Sequence, residues 1–154
     1  MSLILFHGGP QIVKSPEIRA AGFPKDFGWG FYCTNNKSQA TRWAIRGGAG
    51  YVSSYSCCFP RDLKILRFPE INRQWLDFIA HCRNGGSHDY DVVEGAMADD
   101  TVWNYTNAYL SGEITEEAFF VLARFRHPTH QVCFHTEKAL TSLSFLEGAE
   151  VYGR

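Results

Sequence analysis

Asp26-Phe27-Gly28-Trp29-Gly30-Phe31-Tyr32-Cys33-Thr34 is the stretch on which the reading of this chain turns. Two glycines one residue apart let the backbone turn tightly, and Phe31-Tyr32-Cys33 continues as a strand. A helix follows. Asn35 or Asn36 can cap it, Ala40, Trp43 and Ala44 recur at spacings of three and four, and Gly47-Gly48 ends it. A strand and the helix after it can bring two rings, here Tyr32 and Trp43, to opposite walls of one slot. The glycine pair lets something flat or phosphorylated approach the backbone. It is not a dinucleotide-binding fingerprint, because it precedes a strand and lacks the third spaced glycine.

Upstream, Leu3 to Phe6 is a short apolar run that reads as a strand and stops at His7-Gly8-Gly9-Pro10. Pro16 to Ala21 has the length of one helical turn. Downstream, Tyr51 to Phe59 and Leu63 to Phe68 read as strands. Ile71, Trp75, Phe78, Ile79 and Cys82 mark one face of a helix, and Tyr90 to Gly95 is a short strand or extended segment. Val102, Tyr105 and Tyr109 predict a helix that stops near Gly112. Thr115 caps the next, with Glu116 and Glu117 favourable to its dipole and Ala118, Leu122 and Phe125 facing inward. Pro128 breaks the chain before the strand Gln131 to His135. Thr136 caps a short helix through Ala139-Leu140, and Leu143–Phe145 and Val151-Tyr152 are predicted as two final strands. Strands and helices mix without strict alternation, so the fold class is α+β, in one domain over 1–154.

With 154 residues, 45% hydrophobic and 20% charged, the chain is too apolar for a disordered segment. Twelve Phe, seven Tyr and four Trp suit a ring-rich core and a pocket lined with rings. A net charge of -1 leaves no global basic field for nucleic acid, though it allows a local patch. No apolar run has the length to span a bilayer. The first six residues are too short, and lack the basic start, for a signal peptide. The expectation is a cytoplasmic protein without a membrane partner. Cys33, Cys57, Cys58, Cys82 and Cys133 are odd in number and show no CxxC, so buried reduced thiols are expected.

Three segments are candidates for chemistry. His7-Gly8 delivers an imidazole to a strand end where backbone can meet a ligand, although such a His is more often structural. Gly28 to Tyr32, with Trp43, forms the aromatic pair. Gln131 opens an apolar strand with a polar side chain that either enters a pocket or meets solvent. His127, His130, Cys133 and His135 cluster in sequence, but without paired zinc-ligand spacing, so no metal site is assigned. Asp99-Asp100 reads first as a helix cap, and Asp26 as a brace that accepts backbone N–H bonds from the Gly28–Gly30 turn.

Taken in order, His7-Gly8, Gly28-Trp29-Gly30-Phe31-Tyr32 and Gln131 resemble the poly(ADP-ribose) polymerase-like branch of the ADP-ribosyltransferase superfamily. Trp43 falls where that branch has a second ring. The chain is similar over nearly its whole length to a bacterial family known chiefly as a domain of unknown function and often encoded in toxin–antitoxin-like operons. That likeness rests on His7-Gly8, Asp26 to Thr34, Ala40-Thr41-Arg42-Trp43-Ala44, the Tyr90 to Asp100 segment and Gln131 to Leu140.

The resemblance implies two small packed sheets forming a cleft for NAD, flanked by helices. It implies that Gly8 holds the nicotinamide amide, that His7 bonds the adenosine ribose, and that Tyr32 and Trp43 sandwich the nicotinamide. Asp26, Phe31 and Thr34 belong to the same implied NAD-binding set, and His7, Tyr32 and Gln131 to the implied catalytic set. The function implied is transfer of single ADP-ribose units from NAD, as substrate, to a protein or nucleic-acid acceptor. The implied setting is that of a toxin with an antitoxin partner. The departure is Gln131, where the superfamily has Glu. A carboxamide bonds a ribose hydroxyl but carries no charge and takes no proton. Asp26, Asp91, Asp99 and Asp100 are candidates to replace the missing carboxylate. The alternative is a non-catalytic module that binds NAD or ADP-ribose.

Overall fold

A computed structural model describes residues 3–19, 25–98, 100–124 and 129–153, with the side chains of 100, 101 and 124 left aside. The chain runs β1 (Leu3–Gly9), β2 (Phe31–Cys33), α1 (Lys37–Ala44), a 3-10 turn (Ile45–Gly47), β3 (Ala49–Cys57), β4 (Ile65–Arg67), α2 (Arg73–Arg83), β5 (Val92–Gly95), α3 (Asp100–Leu110), α4 (Glu116–Arg124), β6 (Gln131–Phe134), α5 (Glu137–Leu140) and β7 (Leu143–Tyr152). Among the described residues these make two small sheets and five helices, the expected α+β mixture. One sheet is antiparallel in the order β1-β3-β7. The other has the order β2-β6-β5-β4, with only β4 and β5 parallel.

Alternation along the short strands sorts the side chains into layers. Phe31, Cys33, Val92, Val132 and Phe134 face the first sheet and meet Leu5, Tyr55 and Cys57 between the sheets. Their neighbours Tyr32, Val93 and Cys133 face the other way, into a core with Trp75, Leu76 and Ile79 of α2, Val102 of α3 and Phe119 and Ala123 of α4. The outer face of the first sheet is covered by α1, through Ala40 and Ala44 against Val52. That helix lies almost on the strand backbone. A Cβ at Gly8 would overlap the Ala40 carbonyl, and one at Gly50 the Ala44 carbonyl.

The caps form where the residue types place them. Asn36 accepts from the Gln39 N–H at 3.1 Å, Thr115 from Ala118 at 3.1 Å and Thr136 from Ala139 at 3.0 Å. Three expectations need correction. Residues 16–19 are not helical; Ile18 instead packs between the sheets, while residues 20 and 21 lie outside the described residues. The inward stripe of α4 is Phe119 and Ala123, whereas Leu122 is exposed, because α4 offers apolar residues on several faces. The two final strands are one ten-residue strand, β7, paired along the whole of β3 across an irregularity at Ser54/Tyr55. Phe125, His127 and Pro128 lie outside the described residues.

No helix among the described residues is long and apolar enough to cross a membrane. Cys33, Cys57, Cys82 and Cys133 are buried and Cys58 is exposed.

Candidate functional site

The two sheets touch through one rung and then part. Phe6 and Thr34 exchange main-chain hydrogen bonds of 2.8 and 2.9 Å, joining β1 to the end of β2. Continued in register, the next rung would pair Gly8 with Tyr32. Instead the Tyr32 carbonyl is met by His7 Nδ1 at 2.7 Å. Main-chain groups two residues apart point to the same strand edge, so the N–H and C=O of Gly8 face the opening. A carbonyl only accepts, so Nδ1 carries the His7 proton and Nε2 keeps its lone pair, beside Gly9. The imidazole stacks on Phe31 at 4.4 Å and 24°. Burial holds its pKa below the ordinary value, which favours the neutral ring.

The opening is a cleft of about 780 Å³. His7, Gly8 and Gly9 line it from β1, Tyr32 from β2, Trp43 from α1 and Gln131 from β6, with Asp26 from the loop before β2. Six of the eight residues singled out in the sequence therefore share one cavity. Phe31 and Thr34 do not line it. Phe31 is turned into the inter-sheet core by strand alternation. Thr34 is fully buried, and its hydroxyl accepts from the Asn36 N–H at 3.0 Å.

Tyr32 is held at its far end. Its hydroxyl donates to the Gly28 carbonyl at 2.5 Å and accepts from the Phe27 N–H at 3.1 Å. Burial raises its pKa far above the usual phenol range, so it stays protonated. The Gly28–Gly30 turn thus closes on the phenol. Gly28 has φ +91°, and a Cβ at Gly30 would sit 2.5 Å from Cys133 Sγ. The expectation that Asp26 braces this turn is corrected: Tyr32 does so.

Asp26, 4% exposed, is occupied elsewhere. Its Oδ1 takes Arg83 Nε at 2.7 Å and Nη2 at 2.5 Å. Its Oδ2 takes the Ala98 N–H at 2.7 Å and Gln131 Nε2 at 3.0 Å. The guanidinium also bonds the Ala98 carbonyl at 2.9 Å and lies over the Trp103 ring at 4.1 Å.

Of the other proposed replacement carboxylates, Asp91 does not line the cleft. Asp91 accepts from the Lys64 N–H at 2.8 Å and the Thr136 hydroxyl at 2.8 Å, at the β4–α5 side. Asp99 lies outside the described residues, as does the side chain of Asp100. Of the cluster weighed for metal, His130 bonds Glu94 at 2.7 Å and His135 the Trp29 carbonyl at 3.0 Å.

Sequence reasoning missed the cations. Lys25, Arg46 and Arg83 all line the cleft. Arg83 is spent on Asp26, whereas Lys25 and Arg46 have no acidic partner among the described residues. Lys25 Nζ lies 5.4 Å over the Tyr32 ring. Arg46 follows Trp43 by three residues, a helical spacing that could have flagged it. Nothing local marks Arg83.

Residues 3–145 match the family described as "Protein of unknown function (DUF3990)". The chain belongs to that family. No curated protein matches it at a significant level. The features above are therefore those of a DUF3990 chain: a cleft between two sheets, ringed by an imidazole, a phenol, an indole, a carboxamide and two cations, Lys25 and Arg46, that have no acidic partner among the described residues.

Proposed function

We propose that this DUF3990 chain has an ADP-ribosyltransferase-like fold and transfers single ADP-ribose units from NAD to a protein or nucleic-acid acceptor, as the toxin of a toxin–antitoxin pair. The observation that carries the reading is the meeting of His7, Gly8, Tyr32, Trp43 and Gln131 in one cleft at the parting of the sheets. These residues are 124 positions apart at the extremes, and a shared ligand gives their convergence a reason.

In this reading Tyr32 and Trp43 hold the cationic nicotinamide, each by cation–π attraction of roughly 0.5–2 kcal/mol. Gly8 offers its free main-chain groups to the carboxamide. The lone pair of His7 Nε2 accepts from a ribose hydroxyl. Lys25 and Arg46 face the diphosphate, which a cleft lined only by rings could not hold.

Cleavage breaks the bond between nicotinamide nitrogen and ribose C1′. The electron pair leaves with nicotinamide, and positive charge builds on the ribose ring, as in glycoside cleavage. The acceptor then bonds C1′ and passes its proton to water. Gln131 can steady a ribose hydroxyl but cannot take that proton, so the acceptor must be nucleophilic on its own. Polymer synthesis is not expected.

A second reading, a module that binds NAD or ADP-ribose without cleaving it, is favoured by one observation. The carboxylate of Asp26 is fully engaged, which leaves no free carboxylate among the described cleft residues.

The test is incubation of the pure protein with NAD labelled in its adenosine and a bacterial extract. Label should pass to protein or nucleic acid, and Trp43→Ala should lose it while staying folded. Bound NAD with no transfer selects the binding module, and no binding at all rejects both readings.

A further inference from the structure

Gln131 has one amide nitrogen and one carbonyl oxygen, and its surroundings decide which enters the cleft. Asp26 Oδ2 lies 3.0 Å from Nε2, and the Ala96 carbonyl 3.4 Å. Both partners only accept, so the NH₂ group must point at them. The oxygen is left as the atom turned to the cleft, with no partner among the described residues. The arrangement is held from outside. Arg83 binds Asp26 through two nitrogens, Ala98 N–H binds its second oxygen, and Trp103 backs the guanidinium.

We propose that Asp26 is a positioning residue: it locks the Gln131 carboxamide with its oxygen toward the substrate, and so makes an amide, not an acid, the group this site is built for. The proposal rests on the reading of the cleft as an NAD site only for what Gln131 touches; the lock itself does not depend on it. It also reverses the apparent defect at this position. The substitution Gln131→Glu would set a second carboxylate against Asp26, where the first already uses the guanidinium. Two carboxylates at hydrogen-bond distance cannot both stay ionised, so one must take up a proton in the fold. The other titratable groups around the pair are Arg83 and Cys82 on α2, Tyr32 on β2 and Lys25 beside Asp26.

The test compares wild type, Gln131→Glu and the double variant Asp26→Asn/Gln131→Glu. In the double variant the amide and the acid exchange places, so the new amide at position 26 can donate to the new carboxylate at position 131. Thermal melts run from pH 5 to pH 8. An acid whose folded pKa is raised stabilises the fold below its unfolded pKa and loses that as pH rises. Gln131→Glu should therefore melt progressively lower than wild type as pH rises, and the double variant should run parallel to wild type. A Gln131→Glu curve parallel to wild type, or a double variant as pH-sensitive as the single, overturns the lock.

The second readout is NAD cleavage. Turnover should fall about a hundredfold in Gln131→Glu. A rise in turnover on Gln131→Glu alone also overturns the proposal. If wild type neither binds nor cleaves NAD, the reading of the cleft fails, while the melting curves still decide the role of Asp26.

Discussion

The two walls of the cleft are built differently. On the side of the second sheet, the polar atoms of Asp26 and Arg83 and the Tyr32 hydroxyl are tied to one another or to backbone. On the side of α1, Trp43 is half-buried, Arg46 is exposed, and no side-chain hydrogen bond or ion pair holds either among the described residues. That side is placed by glycine: Gly8 and Gly50 let the helix backbone settle onto the strands. One wall therefore fixes orientation and the other offers rings and charge to whatever enters. Substitutions on the first should cost stability, and substitutions on the second should cost ligand.

The sharpest way to break this contrast is Arg83→Ala. It strands a buried carboxylate, and removing one partner of such a pair costs roughly 3–5 kcal/mol. Urea unfolding measures it; a loss under about 1 kcal/mol would mean the fixed wall is not held by this pair.

The next test uses pH on the same sheet, at His135, which follows the end of β6 away from Gln131 and does not line the cleft. His135 Nδ1 bonds the Trp29 carbonyl, while its Nε2 is buried without a partner among the described residues, so protonation would bury a donor with none of them to accept. Burial lowers its pKa from 6.5 to about 4. The unfolded chain thus takes the proton first. Stability is full above about pH 6.5 and is lost as pH falls toward 4, by up to about 3 kcal/mol. His135→Asn, which can still donate to Trp29, should flatten that slope in melts from pH 7 to pH 4. His7 and His88, also lowered chiefly by burial, contribute in the same direction.

Gly8→Ala tests how the open wall is placed. The new methyl meets the Ala40 carbonyl, and relieving such overpacking costs about 1–3 kcal/mol. The melting temperature should fall, and NAD affinity should fall with it because Trp43 rides on the displaced helix. The smallest effect on stability is expected from Trp43→Ala, within about 0.5 kcal/mol for a side chain outside the packed clusters.

Much of this was legible where the deciding physics is local. The Gly28–Gly30 turn, the Asn36, Thr115 and Thr136 caps and the alternation through Phe31-Tyr32-Cys33 depend on neighbours a few residues away. Gly8 and Trp43 were legible as a strand-end glycine and as the ring facing Tyr32 across a strand and helix, and only their NAD roles came through a resemblance. Arg83 and Asp26 were not legible as partners, because 57 positions separate them and nothing in the motif that holds Asp26 points to Arg83. The β7 strand was hidden because exposed Glu147 and Glu150 interrupt its apolar pattern, while its pairing with β3 supplies the hydrogen bonds that hold it.

The central claim is that Tyr32 and Trp43 grip the nicotinamide end of NAD. The most direct measurement is calorimetric titration of wild type and Trp43→Ala with NAD and with ADP-ribose, which lacks that ring. The account predicts that the substitution weakens NAD by about 2- to 30-fold and leaves ADP-ribose unchanged. Equal loss for both ligands, or no binding of NAD to wild type, would contradict it.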